Sequence, residues 1–236
     1  MNTARTGRPI PLVLTALVAF FSALAALAFS NGHDALAHGS EPHADKAFAH
    51  APLMETPKAV ALRIGMRQLW EDHITWTRLA IISLTTDSAD TDATVGRLLE
   101  NQIDIGNAVK PFYGAAAGDE LTRQLEQHIL IAAEVIAAAR AGDETKLVDA
   151  QARWARNADD IAKVLASVNP RFWKLAKLKA ELSRHLKLTT DEAVARLQGD
   201  WAADVAAYDK IHVHALHMSD LLAAGIVKQF PKRFRS

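Results

Sequence analysis

Three histidines of this chain stand in one recurring context. Residues 70–77, 125–132 and 182–189 each read as an apolar residue, two polar ones, a histidine, an aliphatic, any residue, an apolar one and a small one, centred on His73, His128 and His185. A second pattern places a polar, ligand-type residue three before an aspartate that is followed by Ile or Leu. It occurs as Asn101 with Asp104, Asn157 with Asp160, and His217 with Asp220. Imidazole and carboxylate together suit zinc, manganese, iron or copper, and neutral imidazole is the commonest protein ligand for such ions. The candidate ligands are therefore His73, Asp104, His128, Asp160, His185, His217 and Asp220, with Asn101 and Asn157 as neutral second ligands or orienting groups. The same residues read equally as buried hydrogen-bonding pairs that only fix helix register, because buried polar groups must be satisfied somewhere.

Helical spacing is what relates the two patterns. His73 shares a stripe with Leu69, Trp76 and Ala80, and His128 shares one with Leu121, Leu125, Ala132 and Val135, at alternating three- and four-residue steps. Such a stripe faces a core, so both imidazoles are expected to be buried. His128 lies 15 residues before Asp143 and Asn157 lies 14 after it, which puts both about 22 Å from the turn at 1.5 Å per residue. His185 and His217 stand 15 before and 17 after Asp200, and His73 and Asp104 stand 14 residues from Asp87 and Asp90. Each histidine is thus expected to meet an Asp or Asn across its own helix pair. The last helix adds Asp204, Tyr208 and His212 at four-residue steps, and His214 three before His217, a pair able to chelate one ion.

The elements that must position these groups are legible from periodicity. After Pro57 apolar residues recur at three- and four-residue steps, and turn clusters divide the chain into six helices over 58–86, 91–113, 119–140, 144–168, 173–197 and 200–229. The breaks are the polar run 85–92, the glycines of 114–118, and the segments 141–143, 169–170 and 199–200. The content is 50% hydrophobic but only 6% aromatic, with much Ala and Leu, which favours helix over sheet. The fold class that follows is all-α, a bundle of about six helices built from three related antiparallel hairpins.

Before this domain, assigned to residues 58–236, the chain reads differently. Arg5 and Arg8 precede an uncharged run from Pro9 to Phe29, the pattern of a signal peptide or N-terminal membrane anchor over 1–30. Residues 31–57 form a His-rich linker carrying His33, His38, His43 and His50. Cleavage after Ala37 exposes His38 as a new N-terminus, a weak additional copper ligand. Both outcomes put the domain outside the cytoplasm, in the periplasm or anchored to the membrane through the N-terminal segment.

Composition removes several function classes. Lys+Arg and Asp+Glu both number 27, leaving no polyanion footprint and no expectation of nucleic acid as partner. The absence of cysteine excludes disulfides, thiolate metal sites and thiol catalysis. No phosphate loop, G-x-S-x-G elbow or H-E-x-x-H helix is present, nor the Glu-x-x-His pairs of carboxylate di-iron bundles. An enzyme is not expected, and any protein partner is undefined.

Residues 69–78, 104–108 and 225–231 resemble an uncharacterised family of bacterial exported or membrane-anchored all-helical proteins. The likeness covers most of the chain after Leu62. Some members carry names such as glycosyltransferase or acetylglutamate kinase, neither of which fits a chain without a β/α alternation or a nucleotide-binding loop. The resemblance implies a compartment and a fold class, and no site residues.

Overall fold

The computed structural model describes residues 56–235; the export segment and the linker histidines, His38 among them, lie outside the described residues. Six α-helices follow one another: α1 Pro57–Thr86, α2 Thr91–Tyr113, α3 Ala115–Ala141, α4 Glu144–Val168, α5 Leu175–Gln198 and α6 Trp201–Gln229, ending in a 3-10 turn Pro231–Phe234. The described residues contain no strand, and none of their helices is long and apolar enough to cross a membrane.

Local chemistry sets the boundaries. Thr56 caps α1, its Oγ1 accepting from the Ala59 N–H, while Asp143 and Asp200 cap α4 and α6 by accepting from the N–H groups of Lys146 and Ala203. These side chains satisfy N–H groups that have no partner inside the helix. Gly142 and Gly199 end α3 and α5 with φ of 72° and 70°, in the left-handed region that glycine enters without a Cβ clash.

The segment 114–118 departs from expectation. Only Gly114 breaks the chain, with φ 85°, and α3 begins at once, so Gly118 lies inside the helix. Its role is packing against α2: a Cβ on Gly118 would stand 2.7 Å from the Gly106 carbonyl oxygen, and one on Gly106 would stand 2.8 Å from that of Gly118. Two glycines facing each other let the two backbones approach where any side chain would force them apart.

Each helix packs on its neighbours in chain order, and α1 closes the bundle by packing on α6. Contacts between the expected hairpins are as much a part of the bundle as contacts within them, so helix packing does not single out three hairpins. Among the odd-numbered helices, α1 also touches α3 and α5. The main core runs along this interior and includes Met66, Leu147, Trp154, Ile161, Leu186 and Ile226, each at most 3% exposed. The two ends of the described chain meet, since the Thr56 hydroxyl donates to the Phe234 carbonyl and Lys58 Nζ to that of Arg235. Helices that follow the apolar period bury their stripes in this way, and the odd helices carry His73, His128 and His185 on those stripes.

Candidate functional site

His73 on α1, His128 on α3 and His185 on α5 are 8%, 5% and 7% exposed, and they converge. The ring centroids of His73 and His128 stand 5.9 and 6.1 Å from that of His185. A fourth ring, His214 of α6, lies 6.1 Å from His185 on another side. His73, His128 and His185, each more than fifty positions from the next in sequence, are thus neighbours in one layer of the bundle.

Hydrogen bonds fix how the rings are held. Asn157 Nδ2 donates to the Gln124 carbonyl at 3.0 Å and to its Oε1 at 3.1 Å, which turns Oδ1 toward His128 Nδ1 at 2.8 Å. An amide oxygen accepts, so Nδ1 of His128 carries the proton and Nε2 keeps a free lone pair. Asn101 repeats part of the device: Nδ2 donates to the Leu69 carbonyl at 3.1 Å, and its side chain also hydrogen-bonds the His73 ring. Gln102 Nε2, 3.3 Å from His73 Nδ1, gives its protons to the Leu98 carbonyl at 2.7 Å and to Asn101 Oδ1 at 3.1 Å. In the third case His214 Nε2 donates to the Glu181 carbonyl at 3.0 Å. Leu69, Gln124 and Glu181 each stand four residues before a clustered histidine.

The partner of His185 therefore differs from expectation by one helical turn. Sequence matching aligned His217 with Asn101 and Asn157, yet His214 occupies that place. The signal was available in the counts, because His214 is 14 residues beyond the cap Asp200 as Asn157 is beyond Asp143. His185 Nδ1 is buried and without a hydrogen-bond partner among the described residues.

The carboxylates stay outside this layer. Asp160 pairs with Lys163 at 2.7 Å, Asp220 with Arg67 at 2.8 and 2.5 Å, and Asp104 lies exposed beside a surface groove that includes Ala61, Gly65 and Asn107. His217 is likewise largely exposed. Asp104, Asp160 and His217 follow the inward Asn101, Asn157 and His214 by three residues, a rotation of about 60° from the inward line, and Asp220 lies three residues further on. Of the predicted ligands, the structure brings together His73, His128 and His185; it does not bring Asp104, Asp160, His217 or Asp220 to them. Sequence reasoning missed Gln102 and Glu181, whose positions carry no motif, and placed His214 only in a pair with His217. The polar positions of α6 serve other partners: Asp204 joins Arg78 and Arg196 in ion pairs, Tyr208 lies under the Arg78 guanidinium, and His212 Nε2 meets Glu71 Oε2 at 2.7 Å.

His73, His128 and His185 border a cavity of about 60 Å³, lined also by Trp70, Gln102 and Met218 and otherwise by aliphatic side chains. A single water needs roughly 10–15 Å³ of such space, so the cavity accommodates an ion with its own water or a very small ligand. Gln102 Oε1 is a second buried atom here without a hydrogen-bond partner among the described residues. As the side chains stand, no three His, Asp or Glu among the described residues form a group placed to hold a metal ion. Coordination requires the rings to rotate closer than their 6 Å spacing.

No family model, curated protein or solved structure matches this chain. The chemistry of the site has to be read from its own geometry.

Burial decides the protonation of the layer. It lowers His73 to about 4, helped by the neighbouring His128 and opposed by the hydrogen bond with Asn101, and it lowers His128 to about 4 against the hydrogen bond with Asn157. His185 is pushed well below its ordinary value by burial and then by His73, His128 and His214. At neutral pH the rings are uncharged, the form that binds metal ions. Because the unfolded chain takes up these protons near pH 6.5 and the folded one near 4, the contribution to stability is complete above about pH 6.5 and is lost as pH falls toward 4. At about 1.4 kcal/mol per unit, His73 and His128 each account for about 3 kcal/mol. Metal-free protein is therefore expected to show a steep fall in urea midpoint between pH 6.5 and 4, and a His73→Gln, His128→Gln variant a shallower one. An equal slope in both would overturn the assignment.

Proposed function

We propose that this chain is a non-enzymatic, exported helical-bundle protein that binds a transition metal ion in its core through His73, His128 and His185. The observation that carries the reading is the convergence of three uncharged imidazoles from three helices on one cavity, with the His128 tautomer fixed by Asn157 so that Nε2 is free. Metal-bound histidines characteristically donate their other ring N–H to a carbonyl or carboxylate oxygen, and the Asn157 amide oxygen fills that role. The unpartnered nitrogen of His185 supports the same reading, since an orphaned buried polar atom calls for an ion or water.

The ligand set narrows the choice of metal. Imidazoles without thiolate suit zinc, copper, iron or nickel, and three histidines with a fourth open position form a known zinc arrangement. No carboxylate lies in the layer to offset a double positive charge, and uncompensated charge in an apolar interior is costly. That favours a monovalent copper ion, or a divalent ion that brings hydroxide as its fourth ligand.

A second reading is a structural or protein-interaction module of the cell envelope. It is supported by the Asn101 and Asn157 amides, which tie one helix to a main-chain carbonyl of the next and so fix register without any ion.

Elemental mass spectrometry on untagged protein purified from its native envelope separates the two. Near-stoichiometric metal in the wild type, with the core ion lost from a His73→Ala, His128→Ala variant that remains helical, is the expected result. Metal-free wild type that also fails to take up zinc or copper ions under reducing conditions overturns the metal reading and leaves the structural one.

A further inference from the structure

Beside the buried layer, on the outer side of His214, three potential ligands share one carboxylate. Glu181 of α5 has Oε2 3.8 Å from His214 Nδ1 and Oε1 3.6 Å from His217 Nε2. The hydrogen bond from His214 Nε2 to the Glu181 main-chain carbonyl decides the His214 tautomer. A neutral imidazole carries one ring proton, and here it sits on Nε2, so Nδ1 presents a lone pair to the Glu181 carboxylate. The His214 side chain is 1% exposed and that of Glu181 16% exposed. Two electron-rich groups facing each other at this depth, with no proton between them, define a place for a cation.

We propose that Glu181, His214 and His217 form a second metal site, for a divalent first-row cation, distinct from the buried three-histidine layer. Zinc bonds of about 2.0–2.2 Å to nitrogen and oxygen in tetrahedral geometry put ligand atoms about 3.4 Å apart; the contacts of 3.8 and 3.6 Å run to different oxygens of Glu181, so the three side chains must turn toward one point before they hold an ion. Two histidines and one glutamate are a recurring ligand set for zinc and, with open positions, for ferrous iron. The main-chain carbonyl of Glu181 holds the far nitrogen of His214, the orienting contact that metal-ligating histidines characteristically make. His217, 58% exposed, closes the site from the solvent side and gives an ion access. Unlike the buried layer, this site includes a negative charge of its own. The positive charge of Arg184 nearby opposes occupancy, and Asp220, close to His217, is engaged by Arg67.

The test is equilibrium dialysis of the whole chain against zinc ions, with zinc per chain read by elemental analysis. Glu181→Gln keeps the size of the side chain and the main-chain carbonyl that holds His214, and His217→Ala alters an exposed position, so both variants are expected to fold. The expected result is that each binds one zinc fewer than wild type, the lost ion being weakened by more than about 100-fold, while His73→Ala, His128→Ala leaves this ion in place. If the buried layer binds no zinc, wild type holds one ion, lost in Glu181→Gln and kept in the double variant, and the second site still stands. If Glu181→Gln and His217→Ala both bind zinc with the wild-type number and affinity, the second site is overturned, whatever the buried layer does.

Discussion

His128→Ala is expected to weaken metal binding by more than about 100-fold, and Asn157→Ala by about 10- to 100-fold, with both variants still helical. The graded outcome follows from what each group touches. His128 lines the cavity and is the ligand itself, whereas Asn157 only holds Nδ1 at 2.8 Å and keeps the ring oriented. Loss of an orienting partner characteristically costs 10- to 100-fold in metal affinity, and loss of the ligand itself costs more. Competition against a chelator of known affinity measures both. Asn157→Asp is the informative third variant, because a carboxylate accepts the same hydrogen bond and adds the negative charge that the layer lacks. It should bind a divalent ion at least as well as wild type. Equal losses in His128→Ala and Asn157→Ala, tracking stability alone, would mean that the pair only fixes register.

Asp204→Ala is expected to lower the free energy of unfolding by about 3–5 kcal/mol. Asp204 is 1% exposed and accepts from Arg78 through both oxygens and from Arg196 at 3.1 Å, and Arg78 also reaches Glu192 at 2.8 Å. Burial pushes Asp204 up, but the hydrogen bonds from Arg78 and Arg196 outweigh it and hold the carboxyl below its ordinary value. Glu192 is the opposite case, raised by burial to about 7 despite Arg78. Removing Asp204 leaves two guanidinium groups, 16% and 19% exposed, without their main counter-charge. Asp220→Ala provides the contrast. Its ion pair with Arg67 joins side chains 33% and 47% exposed, and pairs of that kind contribute about 0–1 kcal/mol. Urea denaturation of the two variants at pH 7 checks both values, and similar losses would overturn the assignment of Asp204 as the keystone of this end of the bundle.

Several helix boundaries follow from single residues whose physics is local. Asp143 and Asp200 cap, and Gly142 and Gly199 turn left-handed. In sequence Gly118 reads as part of a break because a glycine that permits a turn and a glycine that permits close packing look alike; only the presence of Gly106 opposite tells them apart. His217 and His214 pose the same problem. They are one turn apart, both flanked by apolar residues, and the choice of which one meets the odd helix depends on the relative height of two helices.

By itself, then, the sequence determined that the described domain is all-α with six helices, and that His73 and His128 lie on buried stripes, because a 3.6-residue period and the rise per residue are properties of the chain alone. The tertiary structure decided which histidines share a layer, that His214 joins them, that Asp104, Asp160 and Asp220 remain outside, and that Glu181 faces His214 and His217. The reason is geometric. Spacing along a helix gives a residue its height and its angle about that helix, but the rotation of each helix about its own axis, and the identity of the helix across the core, come only from packing all six together.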